Sequence, residues 1–178
     1  MERRIGRIIV IPAGGNAGKD CKTYKISLPS TWVKKLELNE DDRTVEINIH
    51  SGTITIKKPL SASQFAKEKK SLGHDLRKFS FFDNDELCSI IYADFTDKAV
   101  AVENLTTDIV KTAFGNCILP TWDDFEAFLA ERCIPKERSG LREYLEVHNI
   151  DEFDTIEIIK KTDGRMAEDS HWIKMEEI

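Results

Sequence analysis

The chain has 178 residues, 40% hydrophobic and 33% charged, with a net charge of −6, the composition of a globular protein with room for one medium domain or two small ones. No run approaches the ~18 apolar residues of a membrane span. The apolar run in MERRIGRIIVIP is too short for a signal-peptide core and has no small-residue cleavage site behind it, so a cytoplasmic location is expected.

The charge is unevenly spread. Residues 1–82 carry 16 Lys+Arg against 9 Asp+Glu, and residues 83–178 carry 10 against 23. Such asymmetry predicts two surfaces with different partners. A basic half can lie along phosphates, and an acidic half is repelled by them.

In chain order, residues 5–11 (IGRIIVI) predict a short β-branched strand ended by Pro12. A glycine-rich loop, AGGNAGKDC, follows. KTYKISLP then alternates, with Tyr24, Ile26 and Leu28 on one face of a second strand. Pro29 ends it, and Ser30 is a suitable N-cap for a short helix, TWVKKLEL. After the NEDD turn, TVEINIH and TITIKKP alternate around Ser51-Gly52 as a hairpin, with Val45, Ile47, Ile49, Ile54 and Ile56 on its apolar face. Four short strands and a two-turn helix bury little surface below ~60 residues, so this unit needs a partner to complete a core.

SASQFAKEKKSLGHDLRK has few large apolar residues and many lysines, and reads as a basic linker over residues 61–78 with room for a helix. Beyond it, FSFFDNDELCSIIYADF and KAVAVEN predict two strands joined at Thr96-Asp97. LTTDIVKTAFG predicts a helix closed by Gly115. Thr121 caps a second, WDDFEAFLAER, whose apolar stripe of Trp122, Phe125, Phe128 and Leu129 reads as core. KERSGLREYLEVH and DTIEIIKKT predict two more helices, the last stopped by Asp163-Gly164, and RMAEDSHWIKM finishes as a strand. The fold class expected is α+β: an all-β domain at 1–60, the linker, and an acidic α+β domain at 79–178.

Enzymatic motifs are not found. RIIVIPAGGNAGKD approaches a phosphate-binding loop, but Ala13 stands where the first glycine belongs and Asp20 replaces the hydroxyl residue after Lys19. An alternating strand follows instead of the helix whose N-terminus would hold phosphate. Asp123, Asp124 and Glu126 suit the first turn of a helix better than a metal site. Glu168, Asp169 and His171 have no nucleophile beside them. Cys21, Cys88, Cys117 and Cys133 lack zinc-ligand spacing and read as small core residues, and the four histidines are assigned no chemistry. No cofactor, metal or catalytic residue is expected.

KISLPSTWVKKLELNEDDRTVEINIHSGTITIKK resembles the AbrB/SpoVT/MazE family of swapped-hairpin DNA-binding domains. Pro29 matches the family's proline, Leu36 and Leu38 its helix-end apolar residues, Asp42 its acidic turn, and Ile47, Ile49, Ile54 and Ile56 its final hairpin. The family's arginine falls on Lys25, its glycine beside that arginine on Tyr24, and the glycine usual after the helix on Glu37. The resemblance covers about one third of the chain. It implies an interlaced homodimer whose basic loops face double-stranded DNA. Arg4, Arg7, Lys19, Lys22 and Lys25 are the DNA-binding residues expected, with Lys25 first because it holds the arginine position. Lys67, Lys69, Lys70, Arg77 and Lys78 form a second set of cations in the linker.

Two functions follow as expectations. One is a homodimeric transcriptional regulator or autoregulator whose acidic C-terminal domain binds a protein partner. The other is an antitoxin-like or mobile-element inhibitor that blocks a nucleic-acid enzyme, as anti-CRISPR proteins block RNA-guided nucleases. Size and charge suggest that comparison, with no shared motif.

Overall fold

β-Branched residues on either side of the glycine-rich loop pair into a short ladder. A computed structural model describes residues 2–13 and 21–178. In it β1 (Ile9–Pro12) runs antiparallel to β2 (Lys22–Lys25), with Ile9 opposite Lys25 and Pro12 opposite Lys22. Gly14, Gly15, Gly18 and Lys19 lie outside the described residues. α1 (Ser30–Lys35) follows. Ser30, expected as the cap, is instead the first helical residue. Pro29 holds the cap position at φ −60° and ψ 138°, as its ring favours extended backbone before a helix. Leu36 closes the helix, and Glu37 turns the chain at φ 55°.

β3 (Glu46–His50) and β4 (Thr53–Lys57) form the predicted hairpin. Its turn residues Ser51 and Gly52 both have positive φ, 48° and 77°, the conformation that fits the twist of a two-residue hairpin. Ile47 faces Ile56 and Ile49 faces Ile54. One face is therefore four isoleucines. The other carries Glu46, Asn48, His50, Thr53, Thr55 and Lys57.

The chain divides into two compact units, Met1–Pro59 and Leu60–Ile178. The segment 61–78, expected as a linker, belongs to the second. It forms α2 (Ala62–Ser71), opened by a capping box of Ser61 and Gln64, and then enters β5 (Leu76–Asp83). Two buried apolar residues, Ala62 and Phe65, pack the helix against the sheet. The expected domain start at 79 thus falls inside a strand.

The second unit is built on a four-stranded antiparallel sheet of β5, β6 (Glu86–Asp94), β7 (Ala99–Asn104) and β8 (His171–Glu177), in the order β7-β6-β5-β8. FSFFDNDELCSIIYADF, expected as one strand, is two. Asn84-Asp85 turns the chain, with Asn84 at φ 50°, a conformation Asn tolerates. Residues 105–115, expected as a helix, give one 3-10 turn, Ile109–Lys111. The Thr112 hydroxyl donates to the carbonyls of Ile109 and Gly115 and its backbone is extended, so local side-chain bonding replaces the helical ladder.

The remaining helices are α3 (Trp122–Glu131), α4 (Leu141–Val147) and α5 (Thr155–Thr162). Thr121 and Asp124 form the capping box of α3, and Asp154 caps α5. Gly140, expected inside the helix KERSGLREYLEVH, instead caps α4 at φ 86°. Phe79, Phe81, Ile91 and Ile173 from the sheet meet Phe125, Phe128, Ile158 and Ile159 from α3 and α5 in one core. Edge-to-face contacts of Phe79 with Phe125 (5.1 Å) and Phe81 with Phe128 (5.3 Å) set its layers. The aromatic stripe of α3 is core, as its spacing predicts.

Candidate functional site

The first unit has almost no interior. No described residue between 2 and 59 is buried, and Ile47, Ile49 and Ile54 are 64%, 76% and 64% exposed. Ile9, Val10, Tyr24 and Ile26 are also exposed on or beside the β1–β2 ladder. Ile56 is half-buried, and a folded domain does not normally leave so much of a hairpin's isoleucine face in water.

The predicted DNA-binding residues are dispersed over this unit. Arg4 and Arg7 are exposed in the segment before β1, and Lys22 and Lys25 are exposed on β2. Lys19 lies outside the described residues. The register separates the two strand lysines. Lys25 shares a face with Ile9 and Ile11, whereas Lys22 shares the opposite face with Val10 and Tyr24. Three other cations of the unit are held by its carboxylates, Lys35 by Glu2, Lys57 by Glu46 and Lys58 by Asp42, while Arg3, Lys34 and Arg43 are exposed. Glu2 also accepts from the Trp32 indole at 2.7 Å. Lys35 first, then Trp32, holds its carboxyl below the usual range.

Of the second set of cations, Lys69, Arg77 and Lys78 are paired inside the second unit, while Lys67 and Lys70 are exposed. Lys69 lies 2.9 Å from Asp94 and 2.6 Å from Asp97, Arg77 pairs with Asp75, and Lys78 pairs with Glu176. Asp94 is 0% exposed and also accepts from the backbone of Thr96 and Asp97, with His74 Nδ1 at 2.8 Å. Burial pushes its carboxyl up, but His74, Lys69 and the two amides outweigh that and leave it lowered. His74, Asp94 and Asp97 present ligand atoms within 4.8 Å of one another. The ammonium of Lys69 already pairs with both carboxylates of the group, so its chemistry is that of an ion-pair latch between α2 and the sheet. Scattered spacing concealed it: His74 and Asp94 stand 20 residues apart.

The carboxylates near the C-terminus have a structural partner. Asp169 takes a two-pronged contact from Arg132 at the end of α3, and Arg132 also donates to the carbonyls of Gly164 and His171. Of the cysteines, Cys88 and Cys133 are buried, and burial pushes the Cys133 thiol up to about 11. Cys21 and Cys117 are exposed, contrary to their reading as core, since neither lies on a packed face. The phosphate-loop resemblance stops at β2, a strand paired back on β1. No helix among the described residues is long and apolar enough to cross a membrane.

No family model matches the chain, and no curated protein or solved structure is similar to it.

Proposed function

We propose that the chain is a homodimeric double-stranded-DNA-binding protein, a transcriptional regulator or autoregulator, whose acidic second unit contacts a protein partner. The observation that carries this is the isoleucine face of β3–β4, on which Ile47, Ile49 and Ile54 are exposed and Ile56 is half-buried. Burying a side chain of this kind contributes roughly 1.5–3 kcal/mol, and the first unit offers too little interior to do it alone. A second copy presents the same face and the same need, so exchange of hairpins would supply the core. The element order of strand, strand, short helix and hairpin agrees with the AbrB-like resemblance. So does Glu37, which stands at φ 55° where that family usually has glycine.

DNA is the partner the exposed cations fit. Arg4, Arg7, Lys22 and Lys25 lie outside the ion pairs that hold Lys35, Lys57 and Lys58, and two copies double their number. Because Lys22 and Lys25 point to opposite faces, they should not contribute alike. The test is a salt titration of duplex binding by the full chain and its Lys25→Ala and Lys22→Ala variants. Loss of one phosphate contact lowers the slope of log affinity against log salt by about 0.9, or about twice that in a symmetric dimer. Lys25→Ala should show that loss and Lys22→Ala should not. If the unmodified chain binds duplex no better than a neutral control protein, the reading fails. If both variants bind normally, DNA binding stands and the contacts lie elsewhere.

A further inference from the structure

A groove of about 460 Å³ opens in the second unit between α3, the 134–137 turn and the start of α5. Phe95, Trp122, Phe125, Ile134, Phe153 and Ile156 make it mainly apolar and aromatic, and its volume lies in the range of ligand and anchor pockets. Two of the stretches that wall it are acidic. α3 carries Asp123, Asp124, Glu126 and Glu131, and residues 151–157 carry Asp151, Glu152, Asp154 and Glu157; neither stretch has a Lys or Arg. All eight carboxylates are exposed. Glu126 stands in the lining, where its carboxylate accepts from the Trp122 indole at 2.8 Å. A cleft edged by one sign of charge over low-dielectric walls concentrates the opposite charge.

We propose that this groove docks a cationic polypeptide segment that inserts one large apolar side chain between Trp122 and Phe153. The apolar floor takes the anchor, and the two acidic walls take flanking Lys or Arg. The groove already displays the second half of this chemistry: the ammonium of Lys136, the cation in its lining, lies 4.7 Å from the Phe153 ring centroid. A partner cation can take that ring face as Lys136 swings out to water. An anionic amphiphile would instead meet Glu126 and Glu137 in the lining, with Lys136 beside them and the Arg77 guanidinium already held 4.1 Å from the Phe95 ring centroid. The proposal rests on the acidic unit being the half that meets a protein, and it adds the surface and the chemistry of the partner.

The test uses the full chain and three short fluorescein-labelled peptides read by anisotropy: Lys and Leu with a central Trp, Lys and Ser of equal charge, and Glu and Leu of equal apolar content. The Lys/Leu/Trp peptide should bind, weaken with added salt, and bind at least about tenfold tighter than either control. Ala130→Trp fills the groove from an exposed position on α3 and should weaken binding by about tenfold, with unchanged heat unfolding showing that the fold is intact. Ala130→Met serves the same purpose if the larger residue disturbs folding. Lys136→Ala removes the resident cation and should tighten binding by about two- to threefold. Equal binding of the Lys/Ser peptide, stronger binding of the Glu/Leu peptide, or weaker binding after Lys136→Ala each overturns the proposal. Normal binding by folded groove-filling variants overturns the groove alone and leaves the acidic unit as a partner surface. Failure of every cationic peptide overturns both.

Discussion

Arg132 shows how a single buried charge fixes the end of the fold. It is 8% exposed, and its guanidinium joins α3 to the Gly164 carbonyl at 3.0 Å, to Asp169, and to the His171 carbonyl at 2.8 Å where β8 begins. Arg132 holds the Asp169 carboxyl at about 2, against an ordinary 3.8. The ionised form therefore favours the folded state. That contribution is complete above pH ~4 and is lost as pH falls towards 2, and after allowance for partial exposure it is on the order of 1–2 kcal/mol. Asp169→Asn should cost about 2–4 kcal/mol at neutral pH, because it leaves a buried cation half-paired. It should also flatten the acid limb of stability. Urea unfolding of both proteins at pH 7 and pH 3 measures this; an identical pH dependence would remove Asp169 from the account. Gly164 beside it has φ 56°, and an added Cβ would lie 2.9 Å from Ile159 Cδ1 and 3.3 Å from Arg132 Cβ. Gly164→Ala should destabilise by more than about 1 kcal/mol in the same assay. The Asp163-Gly164 stop was legible because it is local. The Arg132 clamp was not, because its carboxylate lies 37 residues away.

At the scale of elements, alternation and caps were the readable signals. Ile47, Ile49, Ile54 and Ile56 alternate, and they share a face in the structure. Thr121 stands where a cap was expected. Misreadings arose where few residues carry the packing. Ser61 and Gln64 form a capping box, but α2 buries only Ala62 and Phe65 and completes its seating through Lys69 and Asp94, which no helical period reveals. The isoleucine face makes a direct prediction. Ile49→Glu places a charge in the surface that a second copy would cover. The full chain should sediment as a dimer, and the variant should shift to monomer while the second unit keeps its unfolding midpoint. Thr55→Glu, on the opposite face of the same hairpin, should remain dimeric. A monomeric unmodified chain at low micromolar concentration, or a dimeric Ile49→Glu variant, rejects the paired-hairpin arrangement.

For the molecule as a whole, the charge boundary and the structural boundary differ. Charge changes sign near residue 82, yet the units divide at Pro59 and Leu60. The difference comes from five cations, Lys67, Lys69, Lys70, Arg77 and Lys78, which look like part of a basic half but belong to the second unit, where Lys69, Arg77 and Lys78 pair with Asp94, Asp97, Asp75 and Glu176. Counted by units, residues 1–59 carry 11 Lys+Arg against 7 Asp+Glu, and residues 60–178 carry 15 against 25. A fragment of 60–178 contains the whole sheet and its core, so it should unfold cooperatively with the urea midpoint that this unit shows in the full chain. Its excess of carboxylate should keep it from duplex DNA. A fragment of 84–178 follows the charge boundary instead and removes β5, the strand bonded to both β6 and β8. It also removes Phe79 and Phe81 from the core. That fragment should have no cooperative transition and little strand signal in far-ultraviolet dichroism. An 84–178 fragment as stable as 60–178 would show that β5 is dispensable. A 60–178 fragment that held duplex as tightly as the full chain would place the DNA contact in the acidic unit and leave the exposed cations of the first unit without that role.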